Sequence, residues 1–243
     1  MDPAVLRDDL VDGLVHESKG VLETPRLERA MRAVPREAFL EDERRAYADR
    51  SFERHGTTVL APRTVARLLE ALEPEPGDRV LVVGAGVGYT AAVIAEVVGS
   101  SGVHAVDIAR PLVQDARRSL SAAGYGDVLV DRRDGSRGLP GYAPFDRILL
   151  EAAAVRPPAA LLEQLAPGGR LVLPEGTRTQ SLVAVDHEGE RAAHGRVAFR
   201  PLLVEGEQAG ALERNRTRRE DAEHARGRAE RRRGWEHDWI TWE

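Results

Sequence analysis

The chain has 243 residues, 42% of them hydrophobic, and a formal net charge of -5, enough apolar material for one full domain with a modest appendage. That charge argues against a protein dominated by nucleic-acid or anionic-membrane binding, and the absence of cysteine excludes disulfides, thiolate metal sites and a cysteine nucleophile. Residues 1–20 carry early acids and no signal-peptide core, and no run approaches the ~18 apolar residues of a membrane span, so a cytoplasmic protein is expected.

In chain order, residues 3 to 72 read as helical and polar. Thr24-Pro25 has the form of an N-cap followed by proline at the first helical position, ahead of Leu27, Ala30, Met31 and Val34. Residues 1–72 are therefore expected to form an N-terminal helical segment with a loop at its end. At Pro74-Glu-Pro-Gly-Asp78 the period changes. Short apolar runs at Arg79–Val83, Val103–Val106, Val128–Val130, Phe145–Leu150 and Arg170–Leu173 alternate with helical patterns over 88–98, 110–123 and 158–165. Buried parallel strands with crossover helices follow from that alternation. Ser181–Val185 and Val197–Val204 have no helix between them and read as an antiparallel pair at the sheet edge. The fold class is α/β, a doubly wound, mostly parallel seven-stranded sheet of Rossmann-like form over residues 73–205.

Residues 206–243 form a third segment. Between 214 and 233 it holds nine Arg against four acids, and Trp235, Trp239 and Trp242 fall on one side of a helix. A stripe docked on the domain with a solvated Arg face, and a surface for nucleic acid or another partner, are both open readings of this tail.

The turn after the first strand, VLVVGAGVGY, sets Gly84, Gly86 and Gly88 as G-x-G-x-G around Ala85, with Tyr89 where a dinucleotide fingerprint would place its last glycine. This compact version suits an amino-acid moiety attached to a nucleoside better than a diphosphate. Asp107, with Ile108 beside it, ends the next strand 23 residues after Gly84, where a carboxylate accepts hydrogen bonds from both ribose hydroxyls of a nucleoside. Asp134-Gly135 follows the strand after that, within reach of an adenine amine. Each signal alone is weak: a glycine turn is ordinary punctuation and an acid at a strand end is often a cap. In order after successive strands, they point to S-adenosylmethionine.

The motif set resembles the class I S-adenosylmethionine-dependent methyltransferases and, more narrowly, the protein-L-isoaspartate O-methyltransferase family. The narrower resemblance rests on MRAVPREAFL (31–40) with Ala46-Tyr47 and Asp49, on DGSRGLPGYAPFDRILLEAAA (134–154), on LLEQLAPGGRLVLPEG (161–176) and on FRPLLV (199–204). It covers roughly residues 20–205. It implies methylation of the α-carboxyl of L-isoaspartyl residues in damaged proteins, with isoaspartyl proteins or peptides as substrate; a monomer is expected. The chain departs from the family pattern at His55-Gly-Thr-Thr-Val-Leu-Ala-Pro62. Thr58 and Pro62 match, Thr57 stands where Gln is usual, and Leu60 stands where the family's Ser lies at the methyl-transfer site. Thr57, Thr58 and Leu60 are thus the expected acceptor-side residues. Glu151 replaces the family's Thr before the Ala run.

The seven histidines are scattered without ligand spacing, and no metal site is expected. His55, in the acceptor loop, reads equally as a substrate contact or a solvated side chain. Glu151 reads as a group facing the crevice or as a salt-bridge partner of a local Arg such as Arg156. A methyltransferase with a changed acceptor, for example RNA, and a cofactor-binding protein without transfer activity are the alternatives.

Overall fold

A computed structural model describes residues 2–16 and 20–204. The N-terminal helices start on proline: α1 (Pro3–Val15), α2 (Pro25–Ala33) and, after a hairpin, α3 (Pro62–Leu72). Proline is favoured there because its missing amide would have had no helical partner. Thr24 occupies the cap position of α2 without capping it. Its hydroxyl donates instead to Glu70 Oε2 at 2.7 Å, and its amide to Glu70 Oε1 at 2.9 Å, which ties α2 to α3. Leu27, Ala30, Met31 and Val34 are buried as expected.

The 3–72 segment is not wholly helical. Strands β1 (Phe52–Arg54) and β2 (Thr57–Val59) pair antiparallel, with Glu53 opposite Thr58. The turn between them holds His55 at φ 46° and Gly56 at φ 73°, the consecutive left-handed pair that two-residue hairpins need. Three-residue strands are too short to show a clear alternation, and a histidine at the first turn position hides the signal.

Beyond residue 73 the sheet comprises β3 (Val80–Val83), β4 (Val103–Asp107), β5 (Leu129–Arg132), β6 (Phe145–Leu150), β7 (Leu165–Gly176), β8 (Gln180–Asp186) and β9 (Arg191–Val197). The order is β5-β4-β3-β6-β7-β8-β9; the first five are parallel and the last two antiparallel. Helices α4 (Tyr89–Val98) and α5 (Arg110–Ala122) make the crossovers. Strand residues alternate between two cores, as the two-residue period demands. Val80, Val82, Leu149, Val172 and Leu182 pack with residues of α1–α5 on one face. Leu81, Val83, Ile148, Leu150, Leu171 and Leu173 pack with Leu139, Leu161 and Leu165 on the other.

That second face is the thinner layer. The helix expected over 158–165 shrinks to α6 (Ala159–Leu162) because β7 already begins at Leu165. The last strand also corrects the expectation: β9 is Arg191–Val197, not Val197–Val204. It lies at the sheet edge with Arg191 to Arg196 all exposed, so it has no apolar alternation to betray it. Residues 198–204 instead bridge to β6's end through Ala153 and Pro201. Among the described residues no helix is long and apolar enough to cross a membrane. The Arg-rich tail and its tryptophans lie outside the described residues.

Candidate active site

The chain reverses direction across the sheet between β3 and β6, and ligands of open α/β sheets bind outside the carboxyl ends of the strands at such a switch point. Val83 is level with Val106 on one side and Leu150 on the other. Gly84, Asp107 and Glu151, each one residue further on, therefore stand in one row at that crevice.

The glycine turn and the acid hold each other. Gly84 N and Ala85 N both donate to the Val106 carbonyl, at 2.8 and 3.0 Å. Gly86 N donates to Asp107 Oδ2 at 3.0 Å and Ala109 N to Asp107 Oδ1 at 2.9 Å. Burial raises the Asp107 pKa, while the amides of Ala109, Gly86 and Ile108 oppose the rise by bonding to the charged form.

The glycines differ in what they serve. At Gly86, φ is +54° and a side chain would meet nothing closer than the Gly84 carbonyl at 3.9 Å, so the backbone is open to a ligand. At Gly88 a Cβ would lie 3.1 Å from Leu120 Cγ, so its smallness lets α4 pack on α5. Gly135 is tighter still, 2.2 Å from Val83 Cγ1. Asp134 Oδ1 accepts from Ser136 N at 2.9 Å and Ser136 Oγ at 2.6 Å, which makes it the cap of its own turn.

On the acceptor side, Leu60 is joined to the glycine turn through a residue that pattern reading did not single out. Arg36 is buried, donates from Nη2 to the Leu60 carbonyl at 2.9 Å, and lies 4.7 Å from the centroid of the Tyr89 ring, directly after Gly88. Its burial lowers the guanidinium pKa, and Tyr89 opposes that shift. Arg36 lies inside MRAVPREAFL, so the signal was present as part of a motif without a role.

Thr57 and Thr58 are adjacent in β2 and point to opposite faces of the hairpin. Thr58 Oγ1 accepts from Arg200 Nε at 3.2 Å, and Arg200 Nη1 also donates to the Gly56 carbonyl at 2.6 Å. Because Ala153 N donates to the Arg200 carbonyl at 2.8 Å, Thr58 is tethered to the small-residue run after Glu151. His55 is not simply solvated. Its Nε2 lies 2.9 Å from Asp115 Oδ2, which also accepts from Arg54 Nε at 2.7 Å. Asp115, on α5, thereby anchors the hairpin.

Glu151 makes no salt bridge to Arg156. Its carboxyl is buried, bonded to Thr90 at the start of α4, and its Oε1 has no partner. Burial, only partly opposed by Thr90 and reinforced by the Asp107 charge, pushes its pKa up to about 8. Among the described residues no group of three or more His, Asp or Glu is placed to hold a metal ion.

This sheet, with a glycine turn and an acid at its switch point, is that of the class I S-adenosylmethionine-dependent methyltransferases. A solved protein-L-isoaspartate O-methyltransferase from Plasmodium falciparum, in complex with S-adenosyl-L-homocysteine, superposes with a TM-score of 0.72 at 21% identity, covering 81% of this chain and 98% of that one. The family profile for protein-L-isoaspartate(D-aspartate) O-methyltransferase matches residues 7–205. The protein-L-isoaspartate O-methyltransferase of Methanosarcina mazei is 43% identical over 206 residues, 82% of this chain and 83% of that protein. That of Aeropyrum pernix is 45% identical over 186 residues, 74% of this chain and 70% of its own. The chain belongs to the protein-L-isoaspartate O-methyltransferase family.

Proposed function

We propose that this chain transfers the methyl group of S-adenosylmethionine to the α-carboxyl of L-isoaspartyl residues in damaged proteins. The observation that carries the reading is the row of Gly84, Asp107 and Glu151 at the switch point of a chain that belongs to this family. Three features fit the cofactor. The backbone at Gly86 is open, Asp107 has lone pairs beyond those its amide partners use, and the buried Glu151 Oε1 has no partner. S-adenosylmethionine, when bound, supplies a methyl group activated by a sulfonium.

The acceptor is a carboxylate, ionised above about pH 4, so no residue has to remove a proton before attack. The chain's contribution is alignment and exclusion of water. In this reading Gly84, Ala85 and Gly86 admit the methionine part, and Asp107 with Ile108 holds the ribose. Asp134 and Gly135 lie by the adenine, with Gly88 fixing the helix behind the turn. Leu60, Thr57 and Thr58 line the acceptor side. Residues 1–72 then supply the acceptor wall and residues 73–205 the cofactor-binding core, with 206–243 as an appended tail.

The test is methyl transfer from labelled S-adenosylmethionine to a matched pair of peptides, one isoaspartyl and one aspartyl. Base-labile label on the isoaspartyl peptide alone, lost in Asp107→Ala, is the expected result. Leu60 in place of the family Ser and the acid at Glu151 favour a second reading, a changed acceptor. Cofactor binding with no label on either peptide would move the assignment there.

A further inference from the structure

Glu151 is the buried titratable group that the methyl-transfer reading leaves without a task. Its backbone is fixed at the end of β6, where its amide donates to the Val83 carbonyl at 2.8 Å. Its Cβ lies 3.4 Å from where a side chain on Gly84 would begin, so the acid abuts the first glycine of the turn. One carboxyl oxygen is engaged by Thr90 while Oε1 is buried and unpartnered. From β3 it is faced by Gly84, from α4 by the uncharged Thr90, and from β4 by the acid Asp107, the one titratable neighbour that acts on it. Among the described residues no cation pairs with it. A buried carboxyl beside a second acid, with a bare oxygen and no positive partner, is short of one cation.

We propose that Glu151 is a cofactor-recognition residue, whose unpartnered carboxylate oxygen accepts a hydrogen bond from the ammonium group of the methionine moiety of S-adenosylmethionine. This rests on the reading that the Gly84–Gly86 turn admits that moiety. The ligand brings the missing cation to the place where the structure lacks one.

The pairing has a consequence in protons. In the free protein the Glu151 carboxyl titrates near pH 8, and a free α-amino group titrates at about 7.7–8.0. Near pH 7 both are mostly protonated before binding, and the bound pair shares one proton fewer. Glu151 therefore gives up its proton to solvent on binding. Below pH 7 the association constant then rises close to tenfold per pH unit, and it levels off near pH 8, where the ligand ammonium begins to lose its own proton. Asp107, the acid that acts on Glu151, is retained in every variant below.

The experiment is calorimetric titration of the full chain with S-adenosylmethionine at pH 7.0, in two buffers of different ionisation enthalpy, for wild type, Glu151→Gln and Glu151→Thr. Affinities are measured from pH 6 to 8.5. The expected result is release of close to one proton and a near-tenfold affinity gain from pH 6 to 7 in wild type, with close to none of either in the variants. A second ligand, 5′-methylthioadenosine, has the nucleoside but no amino-acid group, and should bind wild type without proton release. The same proton count in wild type and Glu151→Gln overturns the assignment, as does release on binding 5′-methylthioadenosine. No binding of S-adenosylmethionine by folded wild type overturns both this inference and the reading it rests on.

Discussion

Arg36 holds the backbone of Leu60: its Nη2 reaches the Leu60 carbonyl at 2.9 Å while its guanidinium lies over the Tyr89 ring. The acceptor loop is thus fixed to the first residue of α4, and through it to the glycine turn. Two of the guanidinium nitrogens, Nε and Nη1, are buried without partners, so Arg36 bears a desolvation cost that a packing role alone would not require. Replacing it by an apolar side chain of similar length removes that cost together with the tether. Arg36→Met should keep stability within about 1 kcal/mol of wild type, while kcat/KM for an isoaspartyl peptide falls about tenfold, equivalent to ~1.4 kcal/mol. Thermal unfolding and steady-state kinetics on the same preparation check both halves.

Leu60 itself can be returned to the family residue. Leu60→Ser supplies a hydroxyl at the acceptor side and should raise methyl transfer to the isoaspartyl peptide by about threefold or more, the scale of one neutral hydrogen bond of ~0.5–1.5 kcal/mol. Thr58→Val removes the hydroxyl that receives Arg200 Nε and should lower it. If Thr58→Val retains full transfer, its hydroxyl has no part in aligning the acceptor.

Asp115 gathers Arg54, His55 and Arg118 around one buried carboxylate. Burial raises its pKa, but the hydrogen bonds and charges of Arg54 and His55 outweigh that, and the net shift is downward. A depressed folded-state pKa means stability that is fully present above the unfolded value of about 3.9 and lost as pH falls through the lower folded value. Asp115→Asn should therefore cost about 1.5–3 kcal/mol at pH 7. Urea unfolding at a series of pH values should show the gap between wild type and variant closing below pH 4.

The glycines should separate binding from packing. Gly86→Ala meets no atom closer than 3.9 Å, so its stability cost is the left-handed backbone alone, about 1–2 kcal/mol, whereas affinity for S-adenosylmethionine should drop about tenfold or more. Gly135→Ala places a methyl 2.2 Å from Val83 Cγ1 and should destabilise by about 3 kcal/mol through overpacking. Denaturation midpoints beside cofactor titrations distinguish the two; equal losses of affinity per unit of stability would contradict the division.

The amino-acid sequence by itself determined the sheet and the row at its crevice. Continuous apolar runs such as Val80–Val83, bounded by turn residues and alternating with helical patterns, read as strands buried on both faces, and glycines directly after one of them bring the backbone close to a ligand. Those are local signals, carried by neighbouring residues. What only the tertiary structure decided are contacts between residues far apart in the chain. It gave His55 a carboxylate on α5, Leu60 a guanidinium 24 residues earlier, and Glu151 a burial without a cation. The edge strand β9 belongs with these, since it pairs through its backbone and leaves the side chains of Arg191 to Arg196 in water. Side-chain pattern records burial, whereas backbone pairing at an edge and long-range polar contacts leave no period in the chain.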